Sequence, residues 1–283
     1  MSKILEKVFK SFRQEIITTK AAIAGLIKDS KDYSRQPIND FTTQGYEVLP
    51  SFFDRDECDR LIAVTNRYLR DQSYSINGDS YLLCRKDLLQ NVDTQVQHII
   101  NAQEVDEQLL ELFHSQKIEK IFEQRIGEKL QLRSITIRVD NPDTESKRGY
   151  HTDGVTPPVY KAFIYLSDVD NHGDGPYTVI PGSHRHILRK IINYFYSWIT
   201  TIVSISSRYN RKDDIKLFYN DSQAVSIFGK AGTLIISNQQ LVHKGWHEHD
   251  ENKRYALICY LIPEKHYRGQ PLNIGRAALL QKV

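Results

Sequence analysis

Cysteine is scarce in this 283-residue sequence. Cys58, Cys84 and Cys259 are scattered and odd in number. They form no C-x-x-C pair and no disulfide framework, which points to a reducing compartment and so to the cytoplasm. An excess of one charge is also missing. Lys and Arg number 38 and Asp and Glu 35, a net charge of +3 that is too small to imply nucleic acid. No apolar run reaches 18 residues, so no membrane-spanning helix is expected. The opening MSKILEKVFKSFRQEII has no unbroken apolar core, because Glu6, Arg13 and Glu15 interrupt it. It is not expected to act as a secretory signal. No internal repeat is visible.

Hydrophobic residues make up 40% of the chain and charged residues 26%. That composition supports a sizeable core, and the length suits one β-sandwich or barrel with helical additions. Residues 3 to 28 place Leu5, Val8, Phe9, Phe12, Ile16, Ile23, Leu26 and Ile27 at roughly helical spacing, with Lys3, Lys7, Lys10 and Arg13 between them. Such a helix either packs on the core or lies in a membrane interface. A short strand is expected near Tyr46 and Val48. A helix is expected from Asp54, whose partner Glu57 completes a capping box, and another helix or two over 103 to 125.

From about residue 131 the pattern changes. QLRSITIRV alternates strictly, and YKAFIYLSDV, PYTVIPG, AVSIFGK, GTLIISN and RYALICYLIP are short, β-branched or aromatic runs bounded by Gly, Pro or Asn. Many strands without helices between them predict an antiparallel sandwich or barrel. The exception is 185 to 212, a long apolar-aromatic stretch with basic ends. It predicts a helix that serves either as a buttress on the sheet or as a second membrane-facing element.

GYHTDGVTP, residues 149 to 157, raises the question of function. His151 and Asp153 stand two apart, and side chains two apart in an extended chain point the same way. Two imidazoles and one carboxylate on one face of a metal ion hold Fe(II) while leaving the opposite face open. An isolated H-x-D occurs by chance in many proteins, so a distant second His is needed. His243, His247 and His249 are the candidates. His243 directly follows the GTLIISNQQLV run, whereas His247 and His249 sit in the polar turn HEHDENK. A zinc H-x-x-x-H reading of His243 and His247 fails: Gly245 lies between them and the glutamate of H-E-x-x-H is absent. His184 and His186 follow a turn, solvated or facing substrate.

His151, Asp153 and His243, with Arg254 following, resemble the motif of the phytanoyl-CoA dioxygenase family. His243 lies 90 residues after Asp153 and Arg254 lies 11 after His243, as in that family. PYTVIPGSHR, GKAGTLIISNQQLVHKG and FTTQGYEVLPSFFDRDECDRLI resemble its other segments. The resemblance covers roughly residues 40 to 265, without the first 30 residues or an insertion at about 187 to 222. It implies a mainly β chain with flanking helices around a double-stranded β-helix, a jelly-roll core. Residues 1–35 would be the amphipathic helix and 36–283 one dioxygenase domain.

The resemblance further implies Fe(II) held by His151, Asp153 and His243, with 2-oxoglutarate as cosubstrate and O2 as oxidant. Arg254 would bind the distal carboxylate of 2-oxoglutarate, a role suited to a planar, permanently charged fork. Tyr165 lies near where relatives place an aromatic residue against 2-oxoglutarate. Thr136 and Arg138 stand on the polar face of the preceding strand, where they would line the mouth. Halogenating relatives lack the carboxylate, so Asp153 favours hydroxylation. The chain departs from relatives that place Ser two residues after the distal His or two after the Arg, since Gly245 and Ala256 stand there.

The motif does not name the substrate. Arg138, Lys161 and the His184–Arg185–His186 group give the mouth a basic character that suits an anion. The basic, apolar N-terminal helix and insertion suit work at a membrane surface. Together they suggest an anionic lipid or glycolipid; among relatives, the hydroxylase of the lipopolysaccharide sugar Kdo fits this profile. The alternatives are a soluble metabolite or natural-product intermediate, a carrier-bound or peptide substrate, and a non-enzymatic binding module on the same barrel.

Overall fold

The computed structural model describes residues 17, 20–21, 23–28, 36–70, 81–84, 96–100, 102, 117–142, 149–153, 158–203, 214–245 and 252–267. Its elements, in chain order, begin with helix α1 (Asp40–Gln44), strand β1 (Tyr46–Leu49) and helix α2 (Arg55–Arg70). Strands β2 (Tyr81–Cys84) and β3 (Val96–Ile100) precede helix α3 (Lys117–Ile126) and the long strand β4 (Leu130–Asp140). Then come β5 (Tyr160–Tyr165), β6 (Tyr177–Val179), helix α4 (Ile187–Val203), β7 (Val225–Ile227), β8 (Leu234–Asn238), β9 (His243–Gly245) and β10 (Arg254–Pro263).

Local chemistry sets the boundaries. Asn39 and Thr42 cap α1 reciprocally, and Gly45 ends it in the left-handed region at φ 86°. Asp54 and Glu57 exchange backbone bonds of 2.7 and 2.9 Å at the start of α2, the capping box that the sequence predicts. All the predicted strands form. Of the predicted 103–125 helix, 117–126 is α3, and the rest lies outside the described residues. Residues 23–28 of the predicted N-terminal helix are helical, with Leu26 buried and Ile27 exposed; residues 1–16 lie outside the description.

Two antiparallel sheets result, one in the order β1-β8-β5-β10-β4-β3-β2, the other β7-β6-β9. Alternation divides the large sheet into two faces. Ala162, Ile164, Ile135, Ile137, Leu257 and Cys259 pack with Phe41, Leu61 and Phe122 of the helices. Phe163, Tyr165, Ile235 and Ile258 pack with Tyr177, Val179 and Ile227 of the small sheet. Strands β5, β8 and β10 therefore place apolar residues on both faces, one under helices and one inside the sandwich, whereas the interior face of β4 is polar. The interior face runs along β10 and β4 as opposed pairs: Arg254 with Asp140, Ala256 with Arg138, Ile258 with Thr136.

Candidate metal centre

His151 and His243 lie opposite one another. His151 N–H donates to His243 O and His243 N–H to His151 O, both at 2.9 Å. This hydrogen-bonded antiparallel pair sends both imidazoles to one side, with ring centroids 4.3 Å apart. Asp153 follows two residues on, its backbone N–H held by Gln239 O at 2.8 Å. One ligand atom from each of the three lies within 4.8 Å of the others.

The imidazoles are prepared for a metal. His151 Nδ1 is 2.9 Å from Gly149 O, and His243 Nδ1 is 2.8 Å from Leu241 O. A carbonyl only accepts, so each Nδ1 carries the proton and each Nε2 presents its lone pair. Those Nε2 atoms lie 3.7 and 3.5 Å from the Asp153 carboxylate. Burial by itself would raise the Asp153 pKa. The Lys161 ammonium in contact with Oδ2 outweighs it and holds the group well below the usual range.

A clamp stiffens the pair from behind. Tyr150 and Lys244 are the chain neighbours of the two histidines and point to the other side. Both reach Asp221 Oδ1, at 2.7 Å from Tyr150 Oη and 2.5 Å from Lys244 Nζ, with Lys244 also over the Tyr150 ring. Deeper in the sandwich, Tyr177 lies between Phe163 at 4.4 Å and His243 at 5.3 Å, its hydroxyl 3.0 Å from Ser237 Oγ.

The chemistry of this donor set fits iron. Two neutral imidazoles and one carboxylate make the set that leaves non-haem Fe(II) with open positions. Cys58 and Cys259 belong to the helix-side core and offer no competing thiolate. Thr136 Oγ1 and Gln239 Oε1 are buried with no hydrogen-bond partner. Interior polar atoms of that kind call for a polar ligand.

The sequence model of the phytanoyl-CoA dioxygenase (PhyH) family matches residues 41–253. The chain belongs to the phytanoyl-CoA dioxygenase family. It is thus an enzyme of the non-haem iron, 2-oxoglutarate-dependent oxygenase type, with the jelly-roll core that this family implies. No curated protein sequence matches it. Among solved structures, it is similar to EvdO2 from Micromonospora carbonacea var. aurantiaca complexed with 2-oxoglutarate, at 14% identity and a TM-score of 0.58, covering 84% of this chain and 96% of that one. The epimerase SnoN in complex with Fe3+, alpha ketoglutarate and nogalamycin RO is 16% identical, with a TM-score of 0.57 and 85% and 86% covered. HygX from Streptomyces hygroscopicus, with nickel and 2-oxoglutarate bound, is 15% identical, with a TM-score of 0.52 and 79% and 85% covered.

Other residues singled out from the sequence occupy definite places in the dioxygenase. Arg254 is buried, donating to Asp140 Oδ2 from Nε at 2.9 Å and Nη2 at 2.5 Å, and to Gly175 O from Nη1. Tyr165 commits its hydroxyl to structure: it donates to Ile227 O at 3.0 Å and accepts from Tyr177 N at 2.9 Å, and burial pushes its pKa up to about 12. Thr136 is on the interior face, as alternation predicts.

The basic mouth is corrected at Lys161 and His184. Lys161 pairs with Asp153, while Arg138 and Arg254 share the one Asp140 carboxylate. His184 is neither solvated nor turned to substrate: it is buried, its Nε2 3.1 Å from Thr42 O. His186 stacks on Tyr219. His247 and His249 lie outside the described residues. Asp140, Lys161 as a partner of the carboxylate, and Asp221 escape the sequence reading. Asp140 carried one signal, its position two after Arg138 on the alternating strand.

Proposed function

We propose that the protein hydroxylates a C–H bond of an anionic, membrane-borne lipid or glycolipid, using Fe(II), 2-oxoglutarate and O2. The observation that carries the oxygenase part is the ligand geometry: two Nδ1 atoms held by carbonyls leave two Nε2 atoms facing one carboxylate. His151, Asp153 and His243 would hold the iron. Iron loaded with 2-oxoglutarate and O2 supplies oxidising power toward a substrate C–H bond, with succinate and CO2 as coproducts.

The chain's own residues do the positioning. Arg254 has five N–H donors and uses three on Asp140 and Gly175, so two remain to take the distal carboxylate of 2-oxoglutarate. Thr136 Oγ1 supplies the hydroxyl contact that Gly245 and Ala256 cannot. The Tyr165 ring forms part of the apolar wall. Lys161 holds the Asp153 carboxylate through Oδ2 and so would fix its orientation toward the metal. The retained carboxylate favours hydroxylation, because no ligand position is left vacant for a halide.

The lipid part rests on exposed cations beside the site, Arg185, Arg189 and Lys216, with exposed apolar side chains among them. Among the described residues no helix is long and apolar enough to cross a membrane, so the contact proposed is peripheral. A soluble natural-product-like substrate is the second reading, favoured by the nogalamycin RO held by the similar SnoN structure. The test is anaerobic titration with Fe(II) and 2-oxoglutarate, then succinate release against lipid, sugar and metabolite fractions, with mass spectrometry for a gain of one oxygen. No bound iron and no succinate with any fraction would refute the enzyme reading; a product only from soluble fractions would refute the lipid reading.

A further inference from the structure

Helix α4 is built inside out. Its buried stripe is Lys190, Asn193, Tyr194 and Ser197. Its opposite stripe is Leu188, Ile192, Phe195 and Ile199, which are 71%, 39%, 45% and 53% exposed. A helix that covers its own domain turns its apolar stripe inward. Here the spacing i, i+4, i+7, i+11 faces water, with Tyr196 beside it.

The orientation is specified by bonds on the polar side. Lys190 Nζ donates to His184 O at 2.5 Å. Asn193 Oδ1 accepts from Lys216 N at 3.0 Å and Leu217 N at 2.9 Å, and its Nδ2 donates to Leu217 O at 3.2 Å. Rolling the helix over would strip these buried groups of their partners. Just past that clamp, Phe218 sits at φ 75°, a strained conformation for a bulky residue, and is itself exposed. The same unit reaches the metal centre. Asp214 bridges to His151, and Ile215 N donates to Tyr150 O at 2.7 Å.

Charge identifies the occupant. From Gly175 to Lys212 the sequence has no Asp or Glu, while Arg185, Arg189, Lys190, Arg208, Arg211 and Lys212 fall within it. Arg185 and Arg189 are exposed next to the apolar stripe. A second copy docked by a two-fold axis would set the same cations against each other with no carboxylate from this stretch to meet them. An anionic lipid surface meets both features, taking the apolar side chains at the acyl boundary and the guanidinium groups among its phosphates.

We infer that the exposed face of α4, with Arg185 and Arg189 at its margin, docks the enzyme on an anionic bilayer beside the active-site mouth. It rests on the function proposed above only in taking the substrate to be held in that bilayer. The test is flotation of the full-length protein with phosphatidylcholine vesicles, with and without phosphatidylglycerol, at low salt. Wild type is expected to float only with phosphatidylglycerol. Leu188→Glu/Phe195→Glu and Ile192→Glu/Ile199→Glu should each lose at least tenfold in bound fraction, and Arg185→Gln severalfold. All four side chains are on the water side, so Fe(II) and 2-oxoglutarate binding should be unchanged and reports folding.

The inference is overturned if wild type floats with neither vesicle, floats equally with both, or floats no better than the glutamate variants. It is also overturned if wild type sediments as a dimer that those variants dissociate, since the face then belongs to a second copy. Succinate formation on a soluble substrate without flotation would sink the docking and leave the oxygenase intact. Flotation without metal binding would do the reverse.

Discussion

Asp140 and Arg254 face each other across β4 and β10, and the fully buried carboxylate takes two N–H bonds from the guanidinium, at 2.9 and 2.5 Å. The pair fixes the plane of Arg254, and the direction of its two remaining donors follows from that plane.

Asp140→Asn should therefore act on 2-oxoglutarate without touching the metal. A hydrogen bond to a charged group contributes about 1.5–3 kcal/mol, or roughly 10- to 150-fold. We expect the 2-oxoglutarate needed for half-maximal succinate release to rise about tenfold in Asp140→Asn and roughly a hundredfold in Arg254→Ala by that measure. Fe(II) affinity should be unaltered in both. Unchanged turnover at limiting 2-oxoglutarate would refute the role given to Arg254.

Asp153→Ala removes the anionic ligand and leaves the Lys161 ammonium beside two neutral imidazoles. Saturable Fe(II) binding and succinate release should both disappear. Isothermal titration with Fe(II) under argon, at concentrations that saturate wild type, is the check.

Asp221 ties Tyr150 to Lys244 behind the histidine pair. Loss of such outer partners costs 10- to 100-fold in metal affinity in well-studied sites, and about tenfold is expected for Asp221→Asn. Thermal stability should fall as well, because the Lys244 ammonium that Asp221 pairs with is buried. A fall in stability with metal affinity unchanged would mean the clamp only holds the fold.

Acid should destabilise the metal-free protein through His184. Burial pushes this imidazole down to about 3 from an ordinary 6.5. The folded state binds fewer protons than the unfolded chain between those values, so stability is complete above pH 6.5 and is lost as pH falls toward 3. The loss at full extent is on the order of a few kcal/mol. Urea unfolding in EDTA at pH 7.5 and 5.0 should show a lower midpoint at pH 5.0, and His184→Asn should flatten that difference.

Gly232 precedes β8 at φ +89°, and a Cβ there would strike the Phe53 carbonyl oxygen. Its own carbonyl accepts from Phe52 N at 2.9 Å and Phe53 N at 3.1 Å, pinning the start of α2 to the sheet. Gly232→Ala combines left-handed strain with a backbone clash, and should destabilise by about 2 kcal/mol or more. A melting temperature within a degree of wild type would contradict the close approach.

The strands and their two-fold alternation could be read from residue order alone, because period 2 is local and QLRSITIRV or YKAFIYLSDV satisfies it without help. Alternation likewise put His151 and Asp153 on one side, and chain spacing singled out His243 and Arg254. Pairing was beyond reach. Which residue of β4 faces Arg254, or which lysine meets Asp153, depends on the register of strands more than a hundred residues apart in one case and on a turn in the other. Register is decided by the packing of both faces at once. The same limit applies to α4. Its sequence determined an apolar stripe opposite a polar one, but periodicity has no sign. Only the tertiary structure, by giving Lys190 and Asn193 buried carbonyls to bind, decided that the polar stripe faces inward and the apolar one faces out.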